Sequence, residues 1–332
     1  MDRDLVFVRR TRGLPAIKQL PPDLCNLPST VVNIDNQGRI FLCLCEAWVP
    51  WTVGHLLEFE SMQDIWQHPV ALDIAHSQHL GEYKYCDTKY CNVENEPKNQ
   101  SLIQLLIGID DSCQLVCPSC RKDLIFDKDY DDKLPWVERI VSWLQKYEKA
   151  DLIKLVFGSH GDPFASRLYR KIISDLANLT VTPMIHFHLR TNGLLLSRYL
   201  DELGVLPRLT QLEISIDAAT QETYEQVRRP GRWQSLIENL DYCLAVRKHN
   251  PFQVKANFVV QQTNYQEIPK FVELCRNYKM MPNFTLLQNW NTFSYRENAV
   301  HLKTHPEYQQ FVAVIQDPLI KSVIGKRFDA FT

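Results

Sequence analysis

Three cysteines fall within eight residues, Cys113-Gln114-Leu115-Val116-Cys117-Pro118-Ser119-Cys120, in the spacing C-x3-C-x2-C. They follow the apolar run Leu105-Leu106-Ile107-Gly108-Ile109, which reads as a strand. A strand that ends in such a loop gathers three thiolates at little further entropic cost, because its backbone is already ordered. Thiolates suit soft metals and iron–sulfur clusters. A structural zinc site takes four ligands, and no fourth Cys or His lies within the local spacing. Three protein ligands leave one coordination position open, which is what a reactive cluster needs. A zinc knuckle and buried thiols are the alternatives that spacing alone leaves standing.

A second cysteine set lies upstream: Cys25, Cys43, Cys45, Cys86 and Cys91. Residues 30–34 and 39–43 are apolar or β-branched runs around Asp35-Asn36-Gln37-Gly38, a hairpin with a glycine for a left-handed turn position. Cys25 precedes the hairpin and Cys43 ends its second strand. Ser61-Met62-Gln63-Asp64 is a capping-box pattern that opens a short helix, which Pro69 ends and restarts. Cys243 and Cys275 stand apart, at core spacing on helical patterns, and read as buried cysteines.

Composition bounds the class. The chain has 332 residues, room for one large α/β domain and a smaller one. Hydrophobic content of 45% and charged content of 23% are those of an ordinary globular protein. A net charge of -2 gives no electrostatic reason to expect nucleic acid or an anionic membrane as partner. The first apolar run, Leu5 to Val8, is too short for an export signal, and no stretch reaches transmembrane length. Ten cysteines without an export signal point to a reducing compartment, so a cytoplasmic location is expected.

The elements that position the central cysteines follow from periodicity. Strand candidates are 102–109, 152–157, 184–189, 209–216, 252–260 and 284–287, with helical patterns between them. Six strands alternating with helices predict an α/β fold, a partial (β/α)6 TIM-like barrel, preceded by a small cysteine-rich β-hairpin/helix module. No strand leads into G-x-G-x-x-G, so the barrel fits better than a dinucleotide fold. The expected organisation is an irregular lead-in over 1–24, the cysteine-rich module over 25–98, the barrel over 99–295 and a helical tail over 296–332. In such barrels function gathers at the C-terminal ends of strands.

Those strand ends carry a resemblance. C-x3-C-x2-C after the first strand is similar to the signature of the radical S-adenosylmethionine (radical SAM) superfamily. Gly158-Ser159-His160-Gly161-Asp162-Pro163 after the second resembles that family's GGEP motif, with His160 for a glycine and Asp162 for the usual Glu. Thr191-Asn192-Gly193 looks like its TNG. Ser215-Ile216-Asp217 followed by Arg228 is similar to its fourth-strand motif, and Val259-Val260-Gln261 with Asn264 to its fifth. Upstream, Cys25-x12-Gly38-x4-Cys43, Gly54, Ile65-Trp66 and Tyr85-Cys86 resemble a SPASM or twitch auxiliary module, here placed before the barrel rather than after it. Ser119 departs from the family, which usually has an aromatic residue before the third cysteine.

The resemblance implies an enzyme in which Cys113, Cys117 and Cys120 hold a 4Fe-4S cluster that binds S-adenosyl-L-methionine (SAM). SAM would be cleaved reductively to a 5′-deoxyadenosyl radical that abstracts hydrogen from a substrate C–H bond. Gly161, Asp162, Pro163, Asn192, Ser215, Asp217, Arg228 and Gln261 are the implied SAM contacts. Cys25, Cys43, Cys86 and Cys91 are the implied ligands of one auxiliary 4Fe-4S cluster, with Cys45 as a substitute for Cys43; a zinc site on these residues is the alternative. The expected substrate is a peptide side chain or a sugar- or amino-acid-type small molecule. The expected partner is an electron donor such as flavodoxin or ferredoxin, with no nucleic acid or membrane. The class is an oxidoreductase or maturase, with dehydrogenation, epimerisation and cross-linking all open. A non-catalytic electron-transfer protein or zinc-stabilised interaction protein is the competing class.

Overall fold

The computed structural model describes residues 25–44, 49–86, 102–181, 184–289, 292–325 and 328. Cys45 and Cys91 therefore lie outside the described residues. The chain divides into two compact units. One takes Met1–Asp110, Asp129–His160 and Asn178–His186; the other takes Asp111–Lys128, Gly161–Ala177 and Phe187–Thr332.

In the first unit, β1 (Val31–Ile34) and β2 (Arg39–Phe41) form the expected antiparallel hairpin, and β3 (Gly54–His55) pairs with β2. Asp35 shapes the turn: its Oδ1 accepts from the Gln37 and Arg39 amides at 3.0 and 2.9 Å. Gly38 is required there. Its φ is +74°, and a Cβ would sit 2.4 Å from His55 Nε2. Strand β4 (Leu102–Ile107) lies parallel to β1, in register from Val31↔Gln104 to Ile34↔Ile107. Strand β5 (Leu152–Phe157) lies parallel to β4, so the order is β3-β2-β1-β4-β5. The hairpin is thus an extension of the sheet that holds the first two of the six predicted strands.

Helix α1 (Met62–Gln67) opens on the predicted capping box, with Ser61 and Asp64 satisfying each other's backbone amides. Pro69 occupies the first position of α2 (Pro69–His79), where its missing N–H costs nothing. Helix α3 (Leu134–Lys146) buries Val137, Ile140, Trp143 and Leu144, and the Trp143 indole donates to Phe59 O at 3.0 Å.

In the second unit, β6 (Met184–Thr191, from Phe187 onward), β7 (Leu209–Ser215), β8 (Gln253–Val260) and β9 (Met281–Leu286) run parallel, in that order. Along β8 the alternate residues Val254, Ala256, Phe258 and Val260 are buried while Lys255 and Asn257 are partly exposed. Strand β9 starts three residues earlier than its apolar run predicts. Pro282 and Asn283 look like loop residues, but they continue the β8 register opposite Ala256 and Asn257. The longer helices are α4 (Arg167–Ala177), α5 (Gln221–Val227), α6 (Trp233–Val246), α7 (Ile268–Asn277) and α8 (Tyr308–Ile315).

The fold is α/β, as the alternation of patterns predicts. Cys243 on α6 and Cys275 on α7 are buried, and burial pushes their thiols up to about 11 and about 12. Glu307, ahead of α8, accepts from Gln262 Nε2 at 2.7 Å and from the Tyr265 hydroxyl at 2.9 Å, which fastens the tail to the loop after β8. Among the described residues no helix is long and apolar enough to cross a membrane.

Candidate active site

The cysteine loop opens the second unit and is closed by its own backbone. Cys113 N donates to Ile125 O at 2.9 Å, Asp127 N to Ser112 Oγ at 2.7 Å, and Arg121 Nη1 to Asp111 O at 2.6 Å. Val116 N donates to Arg229 O at 2.7 Å, tying the loop to the segment after α5. Cys117 is buried, Cys113 half-buried and Cys120 exposed. Burial, with the nearby Asp162 charge, pushes the Cys113 thiol up to about 12. Burial raises Cys117 as well, against the pull of Arg228.

Donors meet the sulfurs. The Leu115 amide lies 3.4 Å from Cys113 Sγ and Asn192 Nδ2 3.8 Å from it; Arg228 Nη1 lies 3.8 Å from Cys117 Sγ. Among the described residues no three His, Cys, Asp or Glu side chains converge as the ligands of one metal ion do.

Asp162 is the hub behind this loop. Its amide donates to Ser112 O at 2.8 Å. Its Oδ1 accepts from the Phe164 and Ala165 amides at 3.0 and 3.2 Å, and its Oδ2 from the Thr191 hydroxyl and the Asn192 amide, both at 2.8 Å. Burial raises its pKa, and these four donors oppose the rise. Asn192 in turn exchanges two hydrogen bonds with the Gln114 amide, at 2.9 and 3.1 Å. The loops that follow β4, β5 and β6 in the chain are thereby held by one carboxylate and one amide pair. Gly161 adopts φ +62° ahead of Asp162, a conformation open to glycine.

Of the other predicted positions, Asp217 pairs with Arg228. Asp217, after β7, is buried with φ +59°, in the left-handed region that Asp tolerates better than most residues. Its Oδ2 pairs with Arg228 Nη2 at 2.6 Å and its Oδ1 accepts from the Val259 amide at 2.7 Å. Helical spacing would allow Arg228 to pair with Glu222 or Glu225; instead it is buried against Asp217. Ser215 ends β7 opposite Asn257. Gln261 is buried, and its backbone N–H donates to Asn264 Oδ1 at 2.9 Å.

Several buried polar atoms of this unit, among them Tyr224 Oη, Arg228 Nε and Gln261 Nε2, have no hydrogen-bond partner among the described residues. Groups left unpaired in a protein interior cost stability unless a ligand meets them. Three thiols on one loop, flanked by an arginine and these unmet donors, fit an anionic sulfur-ligated group with an organic ligand beside it. Sequence reasoning missed Tyr224 and Gln114. The signal for Tyr224 was its spacing, one helical turn before Arg228; Gln114 was hidden inside the cysteine motif.

Comparison with known proteins decides the family. The family model described as the Radical SAM superfamily matches residues 109–275. The chain belongs to the radical SAM superfamily. Among curated radical SAM relatives, the "GTP 3',8-cyclase" of Clostridium perfringens is 29% identical over 177 residues, which is 52% of each chain. That of Synechocystis is 25% identical over 237 residues, 68% of this chain and 65% of its own. "Molybdenum cofactor biosynthesis protein 1" of Dictyostelium discoideum is 26% identical over 192 residues, 58% of this chain and 29% of its own. The chain thus spans less than two thirds of each of these relatives. Among solved structures, anSMEcpe with bound AdoMet is 16% identical with a TM-score of 0.40, covering 69% of this chain and 64% of its own.

Of the upstream cysteines in this radical SAM chain, Cys43 and Cys86 are buried and Cys25 half-buried. Gln78 Nε2 lies 3.9 Å from Cys86 Sγ. Cys45 and Cys91, also expected as ligands, fall outside the described residues.

Proposed function

We propose that this chain is a radical SAM enzyme in which Cys113, Cys117 and Cys120 hold a 4Fe-4S cluster, and SAM binds beside it in the second unit. The observation that carries this reading is three thiols on one loop with Arg228 beside Cys117 and buried donors that meet no partner among the described residues. When bound, such a group supplies one-electron cleavage of SAM and hydrogen-atom abstraction from a substrate C–H bond.

The protein's part is to bind, orient and compensate charge. Asn192 and Arg228 stabilise thiolate charge on Cys113 and Cys117, which burial alone would discourage. Asp162 positions the three loops, since its oxygens already accept four hydrogen bonds; the Gly161-Asp162-Pro163 backbone is what it leaves for the methionyl amino group. Asp217 is committed to Arg228. Ser215 and Arg228, through its unmet Nε, are assigned to the SAM carboxylate, and the unmet side-chain amide nitrogen of Gln261 to the adenosine. Cys25, Cys43, Cys86 and Cys91 are assigned to one auxiliary cluster, with Cys45 as the substitute. The substrate is a peptide side chain or a sugar- or amino-acid-type small molecule, and a flavodoxin- or ferredoxin-type protein is the electron donor.

Anaerobic reconstitution with iron and sulfide tests the reading. Wild type should gain about four irons for this cluster and form 5′-deoxyadenosine from SAM on reduction with dithionite. The C113A/C117A/C120A variant should lose those irons and all deoxyadenosine. A protein that takes zinc in their place and leaves SAM intact would support the zinc-stabilised scaffold and overturn the enzyme.

A further inference from the structure

Tyr224 has no assigned part in this site, yet its environment is unusual. Its side chain is fully buried on α5, and the hydroxyl meets no partner among the described residues. The surrounding charges are those of Arg228, Cys117, Asp217 and Asp162. Arg228 follows one helical turn later, its amide donating to Tyr224 O at 2.8 Å, and its guanidinium stands 3.8 Å from Cys117 Sγ. Gly231 closes the same pocket. A Cβ there would lie 2.7 Å from Arg228 O and 3.2 Å from Tyr224 Oη, so the backbone leaves no room for a side chain to pair with the phenol. The Trp233 ring packs edge-on at 5.6 Å, holding the tyrosine ring.

A phenol buried without a partner forfeits a hydrogen bond, and a packed aromatic ring cannot turn its hydroxyl to solvent. Arg228 cannot serve as acceptor, because it has only donors. The phenolic oxygen can take a bond from such a donor, but its hydrogen still needs an acceptor, and acceptors that carry negative charge make the stronger bonds. The acceptor that ligation would create nearest this corner is sulfur on the Cys117 side of the cluster.

Resting on the cluster assignment above, we infer that Tyr224 is a positioning residue whose hydroxyl donates to sulfur on the Cys117 side of the cluster and raises its reduction potential. Each electron added makes the cluster more negative, so a donor aimed at its sulfur stabilises the reduced form more than the oxidised one. Asp217 holds Arg228 beside it, and the Val116–Arg229 hydrogen bond keeps this arm on the cysteine loop.

The test is an EPR-monitored redox titration of the reconstituted full chain, without SAM, comparing wild type with Y224F. That change removes one oxygen and preserves the packed ring; thermal unfolding of both proteins checks the fold. Y224F should bind the same iron and become harder to reduce by about tenfold, equivalent to about 59 mV for a one-electron couple. An unchanged midpoint potential with full iron content overturns the inference and leaves the enzyme reading intact. Weaker SAM binding at an unchanged potential overturns it too, and assigns the phenol to SAM. A wild type that assembles no cluster overturns both.

Discussion

Replacing Glu213 by Gln tests the electrostatics of the second unit's sheet. Glu213 sits mid-strand on β7, in register with Arg190 on β6 and Lys255 on β8. Its oxygens lie 3.2 Å from Arg190 Nε, 3.0 Å from His188 Nε2 and 4.0 Å from Lys255 Nζ. Burial by itself would raise this carboxyl, but the close His188 ring and the Arg190 and Lys255 charges outweigh it and hold it at about 2, against an ordinary 4.5. At 1.36 kcal/mol per pH unit, that difference is worth about 3 kcal/mol at neutral pH. The figure is an upper one, because Arg190 and Lys255 keep 37% and 34% of their side-chain surface in solvent.

The sign follows from the depressed value. The stabilisation is complete above 4.5, where the unfolded carboxyl is ionised, and disappears as pH falls toward 2. Urea unfolding of wild type and E213Q across pH 7 to 3 should show the variant less stable by about 2 to 3 kcal/mol at pH 7. The gap should narrow below about pH 4.5. A gap under about 1 kcal/mol at pH 7, or one that stays flat into acid, would refute the argument.

Changing Asp162 to Asn should cost about 2 to 4 kcal/mol, because the new amide nitrogen faces donors from Thr191 and Asn192 or from Phe164 and Ala165; denaturant unfolding of the apo protein reads it. Cutting the Ser61 side chain to Ala removes half of the capping box on α1 and should cost about 1 kcal/mol without altering iron content, read by thermal unfolding and iron analysis.

Elements that depend on local spacing are legible in the amino-acid sequence. The Asp35–Gly38 hairpin, the Ser61 capping box and all six parallel strands come from patterns within a few residues, and each forms where those patterns lie except β9, which starts three residues early. Groups that depend on distant partners are not. Asp162 reads as a loop residue because Thr191 and Asn192, 29 and 30 residues away, supply half of its donors. Arg228 reads as a SAM contact through its resemblance alone, and nothing in the local sequence shows that Asp217 pairs with it. The Glu213 cluster has a visible trace, since Arg190, Glu213 and Lys255 each interrupt an apolar strand, but only the strand register shows that the three meet.

The parallel ladder between β1 and β4 has a consequence for how the chain can be divided. A fragment begun near residue 99 would strip β4 of its neighbour and bare a row of amides and carbonyls along a largely apolar strand, an invitation to self-association. The hairpin is therefore a seam, and the strand that leads toward the thiols is sewn to it.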